Sequence, residues 1–291
     1  MSQSTFGASL PQASTSFEYL KLYVSFPTRS IKVLWVLNEL KLPLKFQYNS
    51  QPVHVETHTT RITDSENHLP TIEVNFLNLE KGDHLHPEMN PHPFLKVPTL
   101  VFKLKGNHEE QALFESNAII FFLLDHFQQH SKLTQLQDSQ SNANRYKYVF
   151  WTNSSFEIEA QAPIKLFKAL VQKKNLNMST KSQLVLSQEE QEEFDEKAKI
   201  ISHQYLPYLE KELSQRDSSW NYLLGNEFDV ADICIGFCLS GIDTCMLLKE
   251  SVHPKCFEYF HKYIRSRESF QWTMKQLMTL YSKNFESESM K

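Results

Sequence analysis

The stretch from Val97 to Phe127 constrains this chain more than any other. It opens on Val97-Pro98, continues through the apolar run Thr99-Leu100-Val101-Phe102 and turns at Gly106-Asn107. A second run, Ala112-Leu113-Phe114, leads into Glu115-Ser116-Asn117 and at once into the strongly apolar segment Ala118 to Phe127. Two short runs around a Gly/Asn turn predict a β-hairpin. Pro98 cannot donate to a ladder, which suits a strand's first position, and X-Pro bonds are where cis peptides occur. Ser116 directly before an apolar periodic run predicts a helix start. A helix start presents unpaired backbone N–H groups and the positive end of the dipole, so it is suited to hold a carboxylate.

The rest of the chain reads as built around this stretch. Residues Tyr19 to Ser25 alternate, with Leu20, Leu22 and Val24 on one face, and predict a strand. After Phe26-Pro27-Thr28-Arg29-Ser30 comes a helix carrying Ile31, Val33, Leu34, Val36, Leu37 and Leu40, ended by Pro43. Leu44 to Tyr48 predicts the next strand. Alternation then fails from Asn49 to Pro70 and resumes at Ile72, Val74 and Phe76, running to Leu79. Residues 49–70 therefore read as an insert in or beside this strand. Lys81-Gly82-Asp83 begins a short helix or turn. The polar segment 131–144 reads as a linker, and residues 1–17, rich in Ser, Thr and Gln, as a disordered tail.

From Arg145 onward the pattern is helical. A long aromatic-rich helix spans Tyr146 to Val171, with a bend expected near Pro163. Lys173 to Gln191 reads as a polar link, Phe194 to Leu213 as a second helix, Asp229 to Leu248 as a third, and Cys256 to Tyr281 as one or two more. The predicted fold class is thus a small α/β unit over 18–130 followed by an all-helical unit over 145–285.

Composition removes several functions. A net charge of −4 and a pI near 6.3 leave no basic footprint for nucleic acid. No apolar run approaches the roughly 20 residues of a transmembrane segment. The four cysteines, Cys234, Cys238, Cys245 and Cys256, cluster near one end without a disulfide framework, so a reducing compartment, the cytoplasm, is the simpler reading. Cys234 and Cys238 share a helix face within reach of a zinc site with His253. Small buried side chains in an apolar helix are the favoured reading, and no metal is expected. His54, His58 and His68 of the insert read as solvated loop residues rather than ligands.

Three motifs in order resemble the glutathione transferase superfamily. Asn90-Pro91 and Lys96-Val97-Pro98-Thr99-Leu100 resemble its Asn-Pro-x-Gly-Lys-Val-Pro-x-Leu. Phe114-Glu115-Ser116-Asn117-Ala118-Ile119 resembles its Glu-Ser-x-Ala-Ile. Tyr222-Leu223-Leu224-Gly225 with Phe228-Asp229-Val230-Ala231-Asp232 resembles its Tyr-Leu-x-Gly-x-x-Phe-Thr-x-Ala-Asp. Among subgroups, Thr28-Arg29-Ser30-Ile31-Lys32-Val33-Leu34-Trp35 is similar to the fungal and bacterial Ser-Arg-Ser/Ala-x-Arg-x-Leu-Trp. The resemblance covers roughly residues 19 to 280 and implies a thioredoxin-like domain followed by an all-helical one.

It also implies roles. Val97, with Pro98 holding the bend, would give its backbone to the cysteinyl part of glutathione. Ser116 and the free N–H groups of its helix would bind the γ-glutamyl carboxylate, and Glu115 the adjacent ammonium. Lys96 would pair with the glycyl carboxylate. Catalysis requires a thiolate near neutral pH, which a hydroxyl donor and a helix N-terminus both stabilise. By the motif match Thr28 takes the hydroxyl's place, with Ser30 second and Ser25 a weaker third. Tyr148, Trp151 and Phe156 are candidates to line the electrophile's site. Lacking a Cys in the first turn, the chain fits thiol transfer to an electrophile better than mixed-disulfide exchange.

The reading implied is a glutathione transferase, a detoxification enzyme, whose glutathione thiolate adds to an electrophilic carbon or reduces a peroxide, with glutathione as co-substrate and a small electrophile as partner, acting as a homodimer. A non-catalytic binding or assembly module of the same fold is the alternative. Asp229 and Asp232 are expected to form a capping box that serves folding, not chemistry.

Overall fold

The computed structural model describes residues 17–48, 51–53, 69–127, 133 and 138–286. β1 (Phe17–Val24) buries Leu20, Leu22 and Val24, as the alternation requires. It begins earlier than the alternation suggested. Phe17, the last residue of the expected tail, is buried against the rings of Phe102, Phe122 and Phe127. α1 (Ser30–Glu39) follows, then β2 (Leu44–Tyr48), β3 (Gln51–Pro52), β4 (Ile72–Phe76), β5 (Thr99–Leu104) and β6 (Gln111–Phe114).

The sheet order is β3-β2-β4-β1-β5-β6. β4 runs parallel to both its neighbours, with Ile72 paired to Leu20 on one side and Leu44 on the other. Two separate strands therefore flank the insert, which the sequence placed in or beside a strand, and the later of them takes the inner place. The reason is burial. Ile72, Val74 and Phe76 are all buried, whereas β2 buries only Phe46, so the strand with the fuller apolar face takes the inner place. Beyond β4 the expected short helix or turn is a single 3-10 turn, Asp83–Leu85. Residues 49, 50 and 54–68 of the insert, His54, His58 and His68 among them, lie outside the described residues.

α2 (Ser116–Phe127) follows the β5–β6 hairpin directly. The helical half comprises α3 (Ser139–Trp151), α4 (Glu157–Lys173), α5 (Gln188–Ile200), α6 (Leu206–Gln215), α7 (Val230–Thr244), α8 (Pro254–Glu258) and α9 (Glu268–Glu286). α3 takes in the end of the expected linker because Asp138 caps it, accepting from the Ser141 N–H at 2.9 Å. α5 likewise begins before the expected Phe194. Ser187 and Glu190 form a capping box, each side chain accepting the other's backbone N–H at 3.2 and 3.0 Å.

The long helix is not interrupted at Pro163. Pro163 sits inside α4, and the helix continues through it. The ladder instead widens into a π turn at Thr152–Phe156, between α3 and α4. There the Thr152 hydroxyl contacts two carbonyls, Tyr148 O at 3.0 Å and Val149 O at 2.8 Å, and competes with the backbone for them.

One continuous apolar core joins the two halves. Trp35 of α1 is fully buried, its ring 5.0 Å from Phe270 and 5.7 Å from Phe228, and its Nε1 donates to Ser269 Oγ at 3.0 Å. Gly236 makes this joint possible. A Cβ there would lie 2.7 Å from Ile264 Cγ2 and 3.2 Å from the Trp35 ring. Arg267 closes the far edge with a forked contact to Glu39, both carboxylate oxygens at 2.9 Å from Nη2. No helix among the described residues is long and apolar enough to cross a membrane.

Candidate functional site

One row of paired residues assembles the site. Tyr23 of β1 faces Thr99 of β5, which faces Phe114 of β6. Everything just beyond that row therefore meets at one end of the sheet: the turn after β1, Val97-Pro98 before β5, and Glu115-Ser116 after β6. The Val97–Pro98 peptide is cis, as is Phe26–Pro27. Pro98 is buried, Val97 half-buried, and Lys96 points to the exposed side.

The loop before Val97 is braced from within. The Asn90 amide donates to His84 O at 3.0 Å and to Lys96 O at 3.1 Å. Leu95, where the motif carries Gly, adopts φ 55, a conformation costing roughly 1 kcal/mol or more for a residue with a side chain. His92 is buried, and its Nδ1 accepts the Phe94 N–H at 2.9 Å, so the neutral ring carries its proton on Nε2. Burial holds the imidazole below its ordinary ionisation range; the charge of Glu115 pulls it up and that of Lys96 pushes it further down.

His92 is protonated less readily in the fold than in the unfolded chain. Its contribution to stability is complete above the ordinary imidazole range of about 6.5 and is lost as the pH falls below it. Thermal unfolding of wild type and His92→Gln from about pH 8 to about pH 5 should show a shallower acid limb in the variant. Parallel limbs would remove His92 as the cause.

Glu115 and Ser116 differ sharply. Glu115 is exposed and takes a left-handed φ of 70 to turn the chain into α2. Ser116 is buried, and its Oγ has no hydrogen-bond partner. It does not cap its own helix, and its hydroxyl is left unpaired. A buried hydroxyl without a partner costs about 1–3 kcal/mol. Ser25 Oγ, at the end of β1, is the other buried unpartnered serine hydroxyl among the described residues.

The two hydroxyls expected to act on sulfur are committed to their own turn. Thr28 Oγ1 donates to Ser25 O at 2.7 Å, lies 2.8 Å from Ser30 Oγ and accepts the Ser30 N–H at 3.1 Å. Ser30 is fully buried, and its Oγ accepts the Ser25 N–H at 3.2 Å. Thr28 alone of the pair keeps some surface.

The cluster beneath these residues is absent from the sequence reading. Lys32, one turn into α1, is fully buried and pairs with Glu157 of α4, while its Nζ reaches Asn117 Oδ1 at 3.4 Å. Arg29 Nε donates to the other oxygen of Glu157 at 2.6 Å. Asn117, second residue of α2, also donates to Val149 O at 3.3 Å. Both helix starts thus share one polar knot with the helical half, and the π turn immediately precedes its carboxylate. A lysine amid Ile31, Val33, Leu34, Trp35, Val36 and Leu37 signals a buried cation in need of a partner. Nothing local names a partner 125 residues away.

Tyr148, Trp151 and Phe156 pack into or against the core, and Tyr148 also lines a surface cavity with Lys147 and Glu212. Tyr148 donates to Glu212 at 2.7 Å. Trp151 stacks on Phe156 at 4.9 Å and meets Tyr205 and Tyr208 edge-on.

No protein-family model matches the chain, and no curated protein matches it. Solved structures do. Glutathione transferase URE2P8 from Phanerochaete chrysosporium, determined with oxidized glutathione, is 15% identical with a TM-score of 0.60, over 90% of this chain and 96% of that one. Poplar glutathione transferase F1 is 19% identical with a TM-score of 0.60, over 90% and 99%. Ure2p in complex with glutathione is 15% identical with a TM-score of 0.59, over 89% and 98%. At such identity the likeness establishes the fold: a thioredoxin-like domain followed by the all-helical domain of glutathione transferases.

Proposed function

We propose that this protein is a glutathione transferase. One observation carries the reading. A cis Val97–Pro98 peptide, an exposed carboxylate at Glu115 and a buried, unpartnered hydroxyl at Ser116 meet at the start of α2. That set matches the three polar needs of glutathione's amino-terminal half. The Val97 backbone takes the cysteinyl amide, Glu115 the ammonium, and Ser116 with the α2 N–H groups the carboxylate. Lys96 is within the same loop to meet the glycyl carboxylate. The sulfur then lies beside the start of α1, near Thr28 and, behind it, Ser30. In the reaction the thiol gives its proton to solvent. The thiolate forms a bond to an electrophilic carbon, and the leaving group departs with its electron pair.

The rest of the reading follows. The four cysteines are free and buried, which fits a reducing compartment such as the cytoplasm. A homodimer would cover the aromatic face formed by Phe121, Tyr146 and Phe150, whose rings lie 5.7 to 6.3 Å apart and of which Tyr146 and Phe150 are exposed. Detoxification is the corresponding physiological role. The committed hydroxyl of Thr28 favours the second reading, a module that binds glutathione without turning over an electrophile.

Retention on immobilised glutathione together with turnover of chlorodinitrobenzene is the expected result. Retention without turnover selects the binding module, and absence of both defeats the site. Ser116→Ala gives a sharper test. It should weaken glutathione about tenfold or more, since hydrogen bonds to charged groups contribute about 1.5–3 kcal/mol. Its Tm should not fall, because the hydroxyl has no partner to lose. A lower Tm with unchanged affinity would mean that Ser116 only caps α2.

A further inference from the structure

We propose that Arg29 is the group that faces the sulfur and holds it ionised, with Glu157 as the residue that positions it; this rests on the glutathione reading above. Arg29 stands at the N-cap of α1, next to Thr28, and its side chain makes no cap bond. Its Nε is engaged by Glu157 at 2.6 Å. Its two terminal nitrogens have no partner among the described residues, and the side chain is 31% exposed where Glu157 is 3%. The guanidinium is therefore anchored at its inner edge and open at its outer one. A planar fork held in this way has fixed direction, which a free lysine lacks.

Charge balance points to the same group. Arg29 and Lys32 place two formal positive charges against the single carboxylate of Glu157. The other groups facing this cluster do not supply a second negative charge. From α2 comes the neutral amide of Asn117, and from α7 the ring of Phe237, 5.5 Å from Lys32 Nζ. Cys234 and Cys238 of α7 also face it, but burial pushes the Cys234 thiol up to about 12 and Cys238 well above its ordinary value. Lys32 is sealed from solvent, so the surplus charge is accessible only at Arg29. The positive end of α1 adds to it.

Of the nearby hydroxyls, those of Thr28 and Ser30 are occupied in the turn, and that of Ser25, though unpartnered, is buried and uncharged. An anion arriving at the start of α1 thus finds its unoccupied charged donors, the ones with surface, on Arg29. The proton lost from the thiol goes to solvent.

The test is titration of bound glutathione by its ultraviolet thiolate absorbance in wild type, Arg29→Gln, Arg29→Lys and Thr28→Val. Binding of S-methylglutathione, which has no ionisable thiol, is measured beside it. Arg29→Gln should raise the ionisation midpoint by about one pH unit, about tenfold less thiolate at neutral pH, while S-methylglutathione still binds. Arg29→Lys keeps a charge beside Glu157 but cannot hold both partners, so its midpoint should rise by less, and it serves if the Gln variant does not fold. Thr28→Val should move the midpoint less than either. A wild-type midpoint in a folded Arg29 variant that binds S-methylglutathione overturns the proposal, as does a larger shift in Thr28→Val. Wild-type protein that binds neither peptide refutes the glutathione reading itself, and Arg29's role with it.

Discussion

Asp232→Ala should lower the free energy of unfolding by about 4 kcal/mol and leave retention on glutathione per folded molecule unchanged. Asp232 is fully buried at the third position of α7. It accepts three hydrogen bonds, from the Asp229 N–H at 2.8 Å, the Leu223 N–H at 2.9 Å and the Tyr259 hydroxyl at 2.6 Å. Alanine leaves all three donors buried and unpaired, each costing about 1–3 kcal/mol before relaxation. The box is reciprocal. Asp229 accepts the Ala231 N–H at 2.9 Å and is itself held by buried Arg145 through contacts of 2.6 and 2.9 Å. The variant should therefore lose roughly 10 °C in Tm for a chain of this size.

The loss should also depend on pH. Burial pushes the Asp232 carboxyl up to about 7, against the three donors that pull it down. An acid whose folded value is raised lends its stability in full below its unfolded value of about 3.8 and loses it as the pH rises toward the folded one. The gap between wild type and Asp232→Ala should then be wider at about pH 5 than at about pH 8. Chemical denaturation at both values measures it. A Tm within about two degrees of wild type would sink the structural role, and loss of glutathione retention in the folded variant would sink the claim that the role is only structural.

The second large effect lies between the domains. Glu157→Ala should destabilise by about 3–5 kcal/mol, because it strands the fully buried Lys32 without its carboxylate. Replacing both partners, Lys32→Met with Glu157→Leu, should recover most of that loss. Apolar side chains of similar volume avoid the desolvation that the pair has to offset. The remaining partner, Arg29, has surface through which to be hydrated. Denaturant unfolding of the two single variants and the double gives the coupling energy directly. Additive losses in the double variant would mean that Lys32 and Glu157 do not act as a pair.

Lys32 also shows how far the chain could be read in advance. Its helix was legible, since Ile31, Val33, Leu34, Trp35, Val36 and Leu37 form an apolar run started after Pro27 and stopped before Pro43. Its partner was not. The box at Asp229 and Asp232 was legible because its two residues are three apart, and the box at Ser187 and Glu190 carries the same spacing, although the polar composition around it concealed a helix start. The inner position of β4 was not legible, because Leu44–Tyr48 and Ile72–Phe76 both read as strands and only competition for the buried place separates them. The π turn at Thr152–Phe156 likewise depends on which carbonyls Thr152 reaches, while Pro163 drew the expectation of a bend.

By itself the amino-acid sequence determined the hairpin from Thr99 to Phe114, the helix start at Ser116, the two-part architecture and the motifs that resemble glutathione transferases. Each of these depends on neighbours within a few residues, where backbone geometry and periodicity act directly. Only the tertiary structure decided that Ser116 is left without a partner, that Thr28 and Ser30 are occupied with each other, and that Arg29 and Lys32 share one carboxylate from the far half of the chain. Those outcomes depend on which buried polar groups meet once the core has closed, and contacts across more than a hundred residues leave no periodic trace in the chain that makes them.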